Sequence, residues 1–409
     1  MQTVVIVASC ESYRIKDFME AADVLRCRAV LATDGESPAA GYDFLQVDLA
    51  DPTAAAATIA REVPDASAIV AADDSGVLTA AQASALLGHT HNPVAAAVAT
   101  RDKFVMRKAL AAAGVCQPGY RCGSLDEIPA LAAELGFPVV VKPRRLSASR
   151  GVIRANNPAE VVAAAERALQ IAVAAGSDPA DGLVVERYVP GVEIAVEGLL
   201  INGELVVLAV IDKPVPLEGP YFAETIFVTP SRLPAEVVGR AISLVAAGCA
   251  ALELVAGPVH AELRIPESGE PRLIEVASRT IGGLCGRALA FGLLGETLET
   301  VVLRGALAEP NLDVSPARPA AGVMMLPVED GGVLDAIEGI DEVLAIPGIT
   351  GIDITATKGK RVEALPAADR YLGFVFAAGE DAATVEGLLR RAAAELTVVI
   401  DGEDVGPLI

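Results

Sequence analysis

The sequence predicts an α/β chain that passes into α+β: an open parallel sheet first, a compact mixed unit next, then antiparallel hairpins. Three observations carry this. Residues 1 to about 95 alternate short apolar strands with Ala-rich helical stretches, the rhythm of a largely parallel sheet. Asn202-Gly203 separates two apolar runs, the strongest short hairpin signal available. A second strand pair, over 260–265 and 272–276, brackets a turn of Pro, Ser and Gly.

Taken in order, residues 3–8 read as a strand, 16–25 as a helix, 29–32 as a strand ending at Thr33-Asp34-Gly35, and 68–71 as a strand ending at Ala72-Asp73-Asp74. Ser9, Asp34, Asp73 and Asp74 therefore follow strand ends, where open parallel sheets place ligands; ordinary loop capping is the alternative. No G-x-G-x-x-G occurs, so nothing here points to a nicotinamide cofactor. Thr100 is the expected N-cap of a helix running to about residue 113 and closed by Gly114. Lys103 then falls in the first turn, the wrong end for a cation, a cost that a bound anion would offset.

A strand at 120–122, a helix over 125–135, a hairpin around Lys142, a helix over 158–174 and a strand at 183–186 follow. Strands at 192–201 and 204–211 flank Asn202-Gly203, with Glu193, Ala195 and Glu197 on one face. Residues 214–234 read as a long loop over a site, with Phe222-Ala223-Glu224 as a candidate pocket wall. Helices are expected over 235–252 and 289–303. From about 318 a smaller strand-rich unit closes with a helix over 381–394 and a strand at 396–400.

The densest chemistry lies at 139–152. A β-branched run carries Lys142 to a strand end, and a turn of Ser, Ala and Gly follows. Lys142, Arg144, Arg145, Arg150 and Arg154 cluster where no acidic residue occurs between Leu135 and Ala159. The whole chain has 32 basic against 54 acidic residues, a formal charge of −22. Positive charge gathered around small residues in so acidic a protein points to a small polyanion held by backbone amides and cations. A solvated basic hairpin is the plainer alternative, and the pattern is not a Walker A loop.

The second constellation is a pair of carboxylates. With Ile265 and Arg272 as the last opposed residues before the turn, Glu262 faces Glu275. Like charges opposed across strands are destabilising, and a divalent cation between them, Mg²⁺ by preference for hard oxygens, is the natural compensation; Arg264 and Arg279 are the alternative neutralisers. Arg279 follows a strand end and precedes flexible glycines, so it can grip a carboxylate or acyl phosphate with both prongs. The three histidines form no triad or metal cluster by spacing, although His260 shares a face with Glu262.

Composition excludes several classes. The negative charge argues against a nucleic-acid groove or an anionic membrane surface. No apolar stretch is long enough to cross a bilayer and no leader pattern opens the chain. Six cysteines without a C-x-x-C pair fit free thiols in the cytoplasm.

Together, Val141-Lys142-Pro143, Ser149-Arg150-Gly151-Val152, Val185 to Glu193, and Glu262 with Glu275-Val276-Ala277-Ser278-Arg279 resemble the ATP-grasp superfamily, in its carboxylate–amine ligase branch that includes L-amino acid ligases. The resemblance implies an ATP-grasp fold: an N-terminal domain over 1–95, a linking helix over 96–117, a lid domain over 118–190, a central catalytic domain over 191–317 and a C-terminal subdomain over 318–409. It implies that Lys103 and Lys142 contact ATP phosphates, with Ser149, Arg150 and Gly151 in a mobile loop above them. Glu186, Tyr188 and Val189 would meet adenine and Glu193 the ribose. Glu262 and Glu275 would hold Mg²⁺, with Mn²⁺ as an alternative, and Arg279 the acyl phosphate or substrate carboxylate. Lys142, Arg150 and Arg279 are the implied catalytic residues. Ala277 departs from the pattern, since many members carry Asn there as a further metal ligand. The implied reaction joins a small amino-acid-like carboxylate to an amine, releasing ADP and phosphate, with a homodimer as a possible assembly. A nucleotide-binding regulatory protein with a decayed site, a structural ligand-binding module and a biotin-carboxylase-like enzyme are the alternatives.

Overall fold

The structure is a computed structural model and describes residues 1–35, 42–292, 295–308, 319–328 and 331–405. The first unit alternates as its sequence demands: β1 (Thr3–Val7), α1 (Ile15–Val24), β2 (Arg28–Thr33), β3 (Asp43–Gln46), α2 (Pro52–Glu62), β4 (Ala68–Ala71) and α3 (Val77–Leu87). Its four strands are all parallel, in the order β3-β2-β1-β4. β1 is buried along its length, as a strand covered by helices on both faces must be.

Two helices, α4 (Val94–Arg101) and α5 (Lys103–Ala112), lead out of this unit. Thr100 is not the cap. Asp102 sits between the helices and accepts from the amides of Phe104 and Val105, while Thr100 ends α4 and bonds Ala97 O and Ser278 Oγ. An aspartate binds two orphan amides at once, and Thr100 is inside the last turn of α4, which ends at Arg101, so its hydroxyl turns back on that helix.

The small sheet that follows holds β5 (Tyr120–Gly123), β6 (Val139–Pro143), β7 (Ile153–Ala155) and β8 (Leu183–Arg187), in the order β5-β8-β6-β7. The helices α6 (Ile128–Leu135) and α7 (Pro158–Ala174) pack on it through Ile128, Ala132, Val161 and Ala165.

The large sheet has eight strands. β9 (Val192–Ile201) and β10 (Glu204–Lys213) form the Asn-Gly hairpin. β11 (Ile226–Thr229) lies within the stretch expected to be loop. After α8 (Ala235–Ala251) come β12 (Gly257–Ile265) and β13 (Arg272–Ala277). The helix expected over 289–303 is two, α9 (Gly286–Gly292) and α10 (Leu298–Ala306), the second opened by a Thr297 cap on Thr300 N. β14 (Ala320–Met325) then pairs with β11.

The remaining elements are β15 (Gly332–Glu338), α11 (Ile340–Leu344), β16 (Ile349–Ile354), β17 (Arg361–Val362), β18 (Gly373–Gly379), α12 (Ala382–Glu395), β19 (Thr397–Ile400) and β20 (Glu403–Asp404). The large sheet runs β13-β12-β9-β10-β11-β14-β18-β16, so strands from beyond residue 318 continue it without a break. Among the described residues no helix is long and apolar enough to cross a membrane.

Candidate active site

The ends of the small and large sheets and the loops after β1 and β4 face one cleft of about 500 Å³. Its walls include Asp74, Lys103, Lys142, Ser149, Arg150, Glu186, Tyr188, Val189, Glu193, Glu262, Glu275 and Arg279. Most of the residues singled out by sequence thus meet in one place, although they come from widely separated segments.

Lys142, at the end of β6, is buried and lies 2.7 Å from Glu186 on the neighbouring β8. Glu186 is also gripped through both prongs by Arg107 of α5, at 2.7 and 3.1 Å. Burial pulls the Lys142 ammonium down, helped by Arg107 and Lys103, against the pull of Glu186. Burial alone would raise Glu186, but Arg107 first and Lys142 second outweigh it and hold the carboxyl at about 2. Glu186 is therefore an ionised acceptor already engaged by two cations. Arg107 was not foreseen; an arginine at 0% exposure in a helix reads in sequence as an ordinary surface charge.

Lys103 opens α5 and spans toward the lid and the carboxylate pair. Its Nζ donates to Leu146 O at 2.6 Å and lies 3.3 Å from Glu275. In the lid turn, Ala148 and Ser149 adopt φ of +54°, and Gly151 adopts +69°. A Cβ on Gly151 would approach Pro143 Cγ to 2.8 Å, so the turn folds back on its own strand only with glycine there. Gly151 N donates to Pro366 O at 2.9 Å, and Arg150 Nε to Ala367 O at 3.3 Å. The loop thus rests on the last unit of the chain, which supplies Asp369, Arg370 and Tyr371 to the cleft.

Glu262 and Glu275 are opposed across β12 and β13. The register differs from the expected one: Arg264, not Ile265, faces Arg272, and a shift between Glu262 and Leu263 restores the carboxylate pair. Among the described residues neither proposed arginine forms an ion pair with Glu262 or Glu275. Arg264 lies 2.9 Å from Glu193 and Arg279 2.8 Å from Asp74. The cation beside Glu262 is Lys213, at the end of β10, whose Nζ lies 2.7 Å from Glu193, 2.5 Å from Glu224 and 2.9 Å from Glu262. Burial works against the Lys213 charge, yet the three carboxylates raise it well above its ordinary value. Glu262 is held well below the carboxylate range by Lys213 and His260 against its own burial. Glu224 is pushed up by burial in spite of Lys213.

Glu193, Glu224 and Glu262 offer carboxylate oxygens within 4.8 Å of one another. This donor set of hard oxygens suits a divalent cation such as Mg²⁺; Glu275 stands opposite Glu262 across the two strands but outside that cluster. Lys213 lies two residues beyond the strand end at 211 that the sequence predicts. Pairing about Asn202-Gly203 carried two residues further, with a bulge near Leu208, places it opposite Glu193. On the same sheet His260 Nδ1 lies 2.9 Å from Glu197, a carboxylate at 0% exposure that also accepts from Ile281 N. Burial opposes the imidazolium, but Glu197 and Glu262 raise it to about 9.

Comparison with known proteins matches residues 135–288 to an ATP-grasp domain model and 324–401 to an L-amino acid ligase C-terminal domain model. An uncharacterized protein of Sinorhizobium fredii, y4rH, is 29% identical over 71% of this chain and 59% of its own. A D-alanine–D-alanine ligase of Methylococcus capsulatus is 30% identical over 53% of this chain and 67% of its own. The crystal structure of an L-amino acid ligase from Bacillus licheniformis superposes with a TM-score of 0.83 at 23% identity, covering 98% of this chain and 99% of that one. The matched domain model, lying across the small sheet and the large antiparallel sheet, makes this an ATP-grasp protein. The chain belongs to the ATP-grasp superfamily, in the carboxylate–amine ligase branch close to L-amino acid and D-alanine–D-alanine ligases. It spans 59% of the length of the Sinorhizobium relative.

Proposed function

We propose that the protein is an ATP-dependent carboxylate–amine ligase acting on small amino-acid-like substrates, with an acyl phosphate as intermediate. The carrying observation is the convergence of Lys103, Lys142, Arg279, Glu262 and Glu275 on one cleft under the lid turn. Phosphoryl transfer asks for charge neutralisation and in-line placement rather than a protein nucleophile. Lys103 and Lys142 take the phosphates, with Ser149, Arg150 and Gly151 closing above them. The adenine lies against Tyr188 and Val189, and Glu193, its oxygens shared with Lys213 and Arg264, borders the ribose. Glu186 acts chiefly on Lys142, because its oxygens are already committed. Glu262 and Glu275 hold Mg²⁺, which supplies neutralisation of phosphate charge when bound. Arg279 holds the developing acyl phosphate until an amine displaces inorganic phosphate and forms the amide.

The test combines the protein, ATP, Mg²⁺ and pooled amino acids, with products read by mass spectrometry. ADP and phosphate should accumulate in step with a condensed amide. AMP and pyrophosphate would reject the acyl-phosphate route.

A further inference from the structure

Arg279 does not stand alone in the cleft. Its Nε donates to Asp74 Oδ2 at 2.8 Å and its Nη1 to Thr280 O at 2.9 Å. The other oxygen of Asp74 lies 2.8 Å from Arg101 Nη1. Asp74 belongs to the parallel-sheet unit, 205 residues away in sequence. It sits on a short 3₁₀ turn after β4 whose start Asp73 caps through Ser75 N at 2.9 Å. Gly76 ends that turn against β1: a Cβ there would lie 2.3 Å from Val7 O.

We infer that Asp74 is a positioning residue for Arg279, fixing one edge of its guanidinium so that the remaining nitrogen is presented to the reacting phosphate. The inference rests on the ligase reading. Three features support it. Both Asp74 oxygens are taken by guanidinium groups, so the carboxylate is engaged as a bracket rather than as a substrate acceptor. Among the described residues Nη2 of Arg279 has no protein acceptor, and the residue lines the cleft. The carboxylates of Glu275 and Glu197 also pull on this guanidinium; without Asp74, Arg279 would swing toward Glu275 and neutralise a group needed for the metal. The backbone beneath is pinned as well, by Glu197 on Ile281 N at 2.9 Å and by Arg14 on Ile281 O at 2.5 Å, and the neighbouring Ser278 hydroxyl is bonded to that of Thr100 at 2.8 Å. The parallel-sheet unit therefore helps to build the phosphate end of the site.

A double-mutant cycle tests this, read as ADP release with ATP, Mg²⁺ and an equimolar pool of the protein L-amino acids. Asp74→Ala should lower kcat at least about tenfold with KM for ATP within about twofold, and Arg279→Ala should cost about a hundredfold. Adding Asp74→Ala to Arg279→Ala should cost no more than about twofold further, because one acts through the other. Independent, multiplying losses would overturn the inference, since a purely structural role predicts them. Should the alanine variant unfold, Asp74→Asn keeps an acceptor without the charge and runs through the same cycle. Hydrogen exchange at the ¹⁵N-labelled Arg279 Nε, identified by its loss in Arg279→Ala, should be faster in Asp74→Asn. Equal exchange rejects the bracket even if the wild type releases no ADP, an outcome that by itself sinks only the ligase reading.

Discussion

Replacing Glu186 by Gln keeps the shape of the side chain and removes the one negative charge between Arg107 and Lys142. All three side chains are at most 5% exposed, so solvent screens the change little. The carboxyl is depressed from 4.5 to about 2 in the fold. A shift of that size corresponds to about 3 kcal/mol of stability. Breaking a buried pair from one side costs about 3–5 kcal/mol, and a Gln that keeps some hydrogen bonds belongs at the lower end. The sign follows from the depressed value: the contribution is complete above the unfolded-state value of 4.5 and disappears as pH falls through the folded value of about 2. Urea unfolding followed by circular dichroism should therefore separate wild type and Glu186→Gln by about 3 kcal/mol at neutral pH, narrowing to under half of that near pH 3. KM for ATP should also rise, because Lys142 loses the group that orients it. Equal midpoints at neutral pH, or a gap that does not shrink on acidification, would refute the reasoning.

Glu275→Gln should leave the fold intact and cut Mg²⁺-dependent turnover by about a hundredfold or more, measured at saturating metal; retained turnover rejects the metal assignment. Amides over 144–152 should exchange more slowly with ATP and Mg²⁺ than without, by mass-spectrometric hydrogen exchange, and equal rates would remove the lid function. Lys213→Met leaves Glu193, Glu224 and Glu262 crowded without their shared ammonium, so the variant should melt at lower temperature and regain more of its melting temperature on Mg²⁺ addition than wild type does. The same Mg²⁺ response in both proteins would show that Lys213 does not stand among the metal's carboxylates.

Local pattern made the strands legible, because apolar alternation and an Asn-Gly turn act over a few residues. β9 and β10 follow from that turn, and α7 has the limits its pattern predicts. β11 was lost because it has four residues in a proline-rich stretch and pairs with β14 nearly a hundred positions on. The Glu262–Glu275 opposition was reached through the wrong end pair, and a bulge in β12 and β13 makes the observed pairing agree. Side-chain partners were the harder part. The basic run after β6 suggested a pool of free charge, yet Arg144 is held by Asp102 and Arg145 by Asp102 and Asp181. Lys213, Arg107 and Asp74 act through residues of other strands and helices, and no local period encodes such pairs. Counting cations near a strand end therefore locates a phosphate site but overstates its charge. The surplus depends on the carboxylates that remote segments bring to it, and in this cleft Lys142 is matched by Glu186, Arg279 by Asp74 and Lys103 by Glu275.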